Sequence, residues 1–402
     1  MAVIVAQVRS ILYGESVGCN PGVRCVAAAL LFAWLVFWPC APAQAQLEET
    51  TGIPGAAGYA HLPFDFSVSA APRAAWISIA RASGHLASKD LGLVINTADP
   101  YSVQVGEFYI KARKLAPAQV LRVQLPVKPT LTPSQFNQLA AAIEARFGAS
   151  TQALALAWTV PYAVNCNSIT GALALGYDAA QCEHPCAMSK RSPYFNAATV
   201  RPYADLKLRP SMLLAAPDAA GAIAMIKRGV AADGSLGLRG SPPVHAYFVT
   251  THDAVRSVRS QFFPPPGALR RFGVEVHVEA TQAIENAQRV LVYQTGLARV
   301  GKLDTVRWVP GALADHLTSF GGVLAAGGEQ MSILDWIASG ATASYGTVSE
   351  PCAHPQKFAH PQVLLLNYLQ GATAIEAYWK SVAWPQQGVF IGEPLAAPFA
   401  RR

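Results

Sequence analysis

The chain has 402 residues and a formal net charge of +7, with 52% hydrophobic and 14% charged residues. That composition excludes a disordered acidic or basic protein. The 31 Gly and 29 Pro follow no repeat, which excludes a collagen-like chain. Like charges come in pairs at most, as at Lys190-Arg191, Arg270-Arg271 and Arg401-Arg402. A basic stripe interleaved with aromatics is missing, so nucleic acid is not an expected partner.

Residues 1–45 read as a signal peptide. Arg9 and Arg24 precede the uncharged run Val26–Trp38, which is shorter than the about 20 residues that cross a bilayer. Pro39 ends that run, and Ala43-Gln44-Ala45 has the small-x-small form of a cleavage site. An uncleaved anchor is the alternative. The remainder holds no apolar run long enough to span a membrane. An exported protein, periplasmic or extracellular, is therefore expected, with no integral membrane segment after cleavage. Cys166, Cys182, Cys186 and Cys352 remain in the mature chain. In an oxidising compartment they read as two disulfides, with three pairings open. Zinc held by Cys182, His184 and Cys186 is the alternative for that cluster. No cofactor and no metal are expected.

Residues 46–90 read as an extended lead-in. Leu91–Asn96 is a buried strand, closed by a turn at Asp99-Pro100, and Val120–Leu125 is a second strand. Thr132-Pro133-Ser134-Gln135 opens a helix through a capping box, with Phe136, Leu139, Ile143 and Phe147 on one stripe. Leu154–Val160 is a strand. Pro217-Asp218 starts a helix, Val244–Thr250 is a strand, and the triple proline in Phe262–Gly267 marks a boundary. Strands are expected at Val274–Val278, Val290–Gln294, Ala341–Val348 and Val389–Gly392. Helices are expected through Met331–Ile337 and from the capping box Thr373–Glu376 to about Val382. This alternation predicts an α/β fold: a mostly parallel sheet flanked by helices, in two subdomains, 91–263 and 267–402.

Ligands of such sheets sit at the carboxyl ends of strands. Asn96–Asp99, Pro161–Asn165, Thr250–Asp253 and Gln294–Gly296 fall there. The stretch Asp315–Gly322 brings an acid, His316, Ser319 and the pair Gly321-Gly322, whose N–H groups are free to approach a ligand. Glu350-Pro351-Cys352-Ala353-His354 offers a thiol and an imidazole in a proline-stiffened loop. Tyr378, Trp379 and Trp384 read as packing residues rather than a sugar platform. The chain has no phosphate-binding glycine loop and no Gly-x-Ser-x-Gly elbow.

Arg209–Ala215, Gly311–Gly322, Gly340–Pro351 and Gly392-Glu393-Pro394-Leu395 resemble a family of exported proteins of unsettled activity from bacteria that carry the exosortase sorting machinery. Residues 289–395 also resemble gingipain-type, caspase-like cysteine peptidases. In those, one strand ends in a Gly-His-Gly turn and the next in the nucleophilic Cys, and a late Gly-Asp-Pro follows. Here the corresponding positions read Gln294-Thr295-Gly296, Ser319-Phe320 and Gly392-Glu393-Pro394. The resemblance implies a caspase-like second half without the peptidase dyad, since Gln and Thr do not replace imidazole as a base near neutral pH. The candidate cleft comprises Asp99, Thr295, Asp315, His316, Ser319, Glu350 and His354. The expected function is that of a non-peptidase accessory or binding protein linked to surface or extracellular-matrix export, with a protein or polysaccharide partner in the cell envelope. The alternative is a hydrolase with Ser319 or Cys352 as nucleophile and His316 or His354 as base.

Overall fold

The computed structural model describes residues 75–325 and 327–401. The expected signal peptide, 1–45, and most of the expected lead-in, 46–90, lie outside the described residues. In chain order the elements are β1 (Leu91–Asn96), α1 (Pro100–Arg113), β2 (Val120–Val123), β3 (Thr130–Leu131), α2 (Pro133–Arg146), β4 (Ala153–Leu156), β5 (Ala163–Val164), β6 (Asn167–Ser168), α3 (Ile169–Leu175), α4 (Ala180–Glu183), α5 (Pro202–Leu206), β7 (Ser211–Leu213), α6 (Ala219–Ala232) and β8 (Val244–Thr250). Then come β9 (Gly267–Leu269), β10 (Val274–Ala280), β11 (Val290–Gly296), β12 (Trp308–Leu317), α7 (Leu334–Ser339), β13 (Ala343–Thr347), α8 (Pro361–Leu369), α9 (Ala374–Ser381) and β14 (Gly388–Gly392).

Eleven strands form one sheet in the order β2-β1-β4-β7-β14-β13-β12-β11-β8-β10-β9, and β3, β5 and β6 form a small second sheet. All pairs in the large sheet are parallel except β9–β10 and β13–β14. The fold is therefore α/β with a mostly parallel sheet. β1, β4, β11 and β13 are buried along their whole length because both faces of the sheet are covered there. Helix starts follow local chemistry. The Thr132 hydroxyl accepts from Gln135 N while the Gln135 side chain accepts from Thr132 N, and Thr373 and Glu376 repeat the arrangement.

The antiparallel β13–β14 pair, in register from Ala343–Gly392 to Thr347–Gly388, divides the sheet into two parallel blocks that run in opposite directions. β2, β1, β4, β7 and β14 form one block, and β13, β12, β11, β8 and β10 the other. Carboxyl ends of the two blocks thus lie at opposite edges of the sheet. Along the chain the move from one block to the other falls between β7 and β8, and the return between β13 and β14, neither of them at the triple proline. β8, which precedes those prolines, pairs with β10 and β11, which follow them. Three prolines show that a segment lacks hydrogen-bond donors. They do not show which strands it separates.

A buried polar cluster packs α1 and the end of α6 against the end of β14. The Tyr109 hydroxyl donates to Glu393 at 2.7 Å, and Arg113 donates to both Glu393 oxygens at 3.0 and 2.5 Å and pairs with Asp233. Glu393, which follows β14, is fully buried. Its carboxylate ties α1 and the end of α6 to the centre of the sheet.

Candidate functional site

Strand geometry decides how the stretch Asp315–Gly322 works. Side chains alternate between the two faces of a strand, so Asp315 and His316, adjacent near the end of β12, point to opposite sides of the sheet. The register pairs Gln294 with Asp315 and Thr295 with His316. On one face Asp315 accepts from Arg259 at 2.5 Å and from Gln294 Nε2 at 2.8 Å. Arg259 also donates to the carbonyls of Thr295 (2.8 Å) and Ala359 (3.2 Å). The ion pair is sealed, with side chains 2% and 1% exposed.

On the other face His316 is fully buried. Its Nδ1 accepts from Trp336 Nε1 at 2.9 Å, and its Nε2 lies 3.2 Å from the Met331 carbonyl. A ring that accepts at Nδ1 and donates at Nε2 is a neutral Nε2–H imidazole. Burial pushes its pKa down to about 3, and the positive field of Arg259 adds to the shift. Neither nitrogen is left to take a proton from a nucleophile.

Ser319 stands one position past Thr318, beyond the strand. Its carbonyl accepts from Thr347 Oγ1 at 2.9 Å. The expected use of Gly321-Gly322 is corrected. Gly322 N donates to the Thr347 carbonyl at 2.8 Å, and a Cβ on Gly322 would sit 2.5 Å from the Gly346 oxygen. These glycines allow backbone to pack on backbone. Phe320 N is likewise taken, by Gln330 Oε1 at 2.8 Å.

The remaining candidates do not join this group. Asp99 caps α1 by accepting from Tyr101 N, and lies past β1, at the opposite sheet edge. Glu350 accepts from Cys352 N at 2.7 Å, closing its own turn. His354 Nε2 lies 3.0 Å from the Cys186 carbonyl, in the loop fastened by the Cys186–Cys352 disulfide. Cys182 pairs with Cys166. All four cysteines are thus in disulfides, which removes the thiolates that the zinc reading of Cys182, His184 and Cys186, and the Cys352 nucleophile, both require.

What the strand ends do hold is a partly exposed polar cluster, in which Arg256 and Gln330 join Asp253 and Thr318 from the two candidate stretches. Arg256 donates to Asp253 at 2.7 Å and to Thr318 Oγ1 at 3.1 Å, and Thr318 donates to Gln330 at 2.6 Å. Burial opposes the charge on Asp253, but hydrogen bonds from Arg256 outweigh it and hold the carboxyl below its ordinary range. Phe320 is exposed beside it. The available signal was the spacing of Arg256 and Arg259 just after the Thr250–Asp253 strand end.

A cavity of about 910 Å³ opens at the other edge, ahead of β8 and β10 and beyond β14. Arg81, Arg271 and Arg401 line it with His85, its apolar walls include Phe272 and Phe399, and none of the described lining residues is acidic, although Asp233 lines an adjoining cleft that shares His85 and Arg401. Helices long and apolar enough to cross a membrane are absent among the described residues.

No protein-family model matches the chain, and no curated protein matches it. Among solved structures it is similar to the Arg specific cysteine proteinase gingipain R, with a TM-score of 0.36 and 7% identity over 78% of this chain and 80% of that one. At that level nothing of the proteinase's chemistry transfers to this chain.

Proposed function

We propose that this is an exported, non-peptidase accessory protein that binds an anionic component of the cell envelope, linked to surface or extracellular-matrix export. The observation that carries the non-catalytic part is the split of Asp315 and His316 onto opposite faces, with both imidazole nitrogens occupied. A general base must reach the proton it removes. Two disulfides support export, because such bonds persist in oxidising compartments. The resemblance to exported proteins of exosortase-bearing bacteria gives the same compartment.

The ligand class follows from the cavity at Arg81, His85, Arg271 and Arg401. Three arginines against the one adjoining carboxylate, Asp233, leave a positive excess that attracts polyanions, and the aromatic walls suit a sugar ring or an apolar side chain. An acidic polysaccharide such as alginate is the direct probe, with neutral dextran beside it. We expect alginate to bind, dextran not to bind, and the variant R271A/R401A to lose about tenfold in affinity, with wild-type binding weakening as salt rises. Fluorophosphonate and iodoacetamide probes should leave the protein unlabelled. Equal binding of dextran, or labelling that Ser319→Ala abolishes, would reject this reading.

A further inference from the structure

We propose that His245, Glu275 and His277 form a zinc site near the β9 edge of the large sheet. β8 and β10 are parallel neighbours whose register sets His245 opposite Glu275 and Tyr247 opposite His277. Alternation sends Val244, Ala246, Phe248, Val274 and Val276 into the core. It leaves His245, Tyr247, Glu275 and His277 together on the other face, each partly exposed. His245 Nδ1 lies 2.9 Å from His277 Nε2 and 3.9 Å from Glu275 Oε2. One ligand atom from each of the three residues lies within 4.8 Å of the other two.

Zinc takes imidazole and carboxylate ligands at about 2.0–2.2 Å, so tetrahedral ligand atoms stand about 3.3 Å apart. The two ring nitrogens need separate by only a few tenths of an ångström, and the half-exposed Glu275 has room to swing inward. The proton now lying between the rings must move to the far nitrogen of its imidazole, which leaves both rings neutral and both facing nitrogens free to ligate. The Tyr247 ring stacks on His277 at 4.5 Å and holds that imidazole in its orientation. His245 and Tyr247 also line a cleft of about 410 Å³ that includes Glu279 and Thr281. The fourth coordination position opens toward that cleft, where water or a small anionic ligand would complete the tetrahedron. Two histidines and one carboxylate suit zinc better than calcium or magnesium, which prefer all-oxygen sets.

The test uses the full-length protein and zinc alone, followed by calorimetry, with cobalt absorbance as the geometric readout. We expect one zinc per chain and visible cobalt bands of tetrahedral intensity. H245A/H277A should abolish both, and Glu275→Gln should weaken zinc at least tenfold. These side chains are partly exposed, so the melting temperature of metal-free variants should match that of the metal-free parent, and zinc should raise it in the parent alone. Failure of zinc to bind at stoichiometric concentration, or binding that survives H245A/H277A, would overturn the proposal. Alginate binding depends on other residues and is unaffected by either outcome.

Discussion

Asp315→Ala should cost about 3–5 kcal/mol of folding stability, the penalty for leaving a buried charge without its partner. Arg259 is 2% exposed, and its remaining bonds go to neutral carbonyls of Thr295 and Ala359. Its Nε has no partner among the described residues, so the guanidinium already sits at the limit of what this interior satisfies. Removing the carboxylate also strands the Gln294 amide that donates to it. Replacing both ends with apolar residues, R259M/D315L, should recover much of the loss, because a buried pair opposes its own desolvation. Denaturant unfolding of the three proteins is the measurement. A loss under about 1 kcal/mol for Asp315→Ala would mean that water reaches the pair.

The second large effect belongs to the Cys186–Cys352 disulfide. It closes a loop with a sequence separation of 166, against 16 for Cys166–Cys182. The loss of unfolded-chain entropy scales with the logarithm of loop length, giving about 5 kcal/mol for the long loop and about 3 kcal/mol for the short one. The long bridge also holds a buried lysine in place. Lys357, 1% exposed, donates from Nζ to the Pro185 carbonyl at 2.6 Å, beside Cys186. Burial lowers its pKa to about 8 despite the nearby Glu350. We therefore expect C186S/C352S to destabilise the protein more than C166S/C182S in thermal unfolding. The reverse order would show that native contacts, rather than chain constraint, dominate.

Much of the fold was legible because the signals are local. Leu91–Asn96, apolar up to Asn96, is β1, Val244–Thr250 is β8 residue for residue, and both capping boxes start helices where Thr132 and Thr373 stand. α1 was hidden because its buried stripe is Ser102, Val105, Gly106, Tyr109 and Arg113, which carries little apolar contrast. Gly106 is there to admit Ile95, since a Cβ would lie 2.6 Å from that side chain. β12 was hidden by Pro310 and Gly311 within it, both poor strand signals. That omission misled the site reading. Asp315 and His316 look like partners in a turn, and only their membership of a strand sends them to opposite faces. The reversal between the two blocks, which removes Asp99 from the group, has no local signal. It rests on the pairing of Ala343–Thr347 with Gly388–Gly392.

The measurement that bears most directly on the non-catalytic site is the protonation of His316, read by long-range proton–nitrogen NMR of the folded protein between pH 8 and pH 4. Burial lowers its pKa from 6.5 to about 3, so it stays neutral throughout that range. An unfolded imidazole would take up a proton near 6.5, so this residue also removes stability as pH falls from there toward 3. We expect one unchanging Nε2–H tautomer over the whole titration. A ring that titrates between pH 5 and 8, or that carries its proton on Nδ1, would restore a working base to the strand ends and contradict the account.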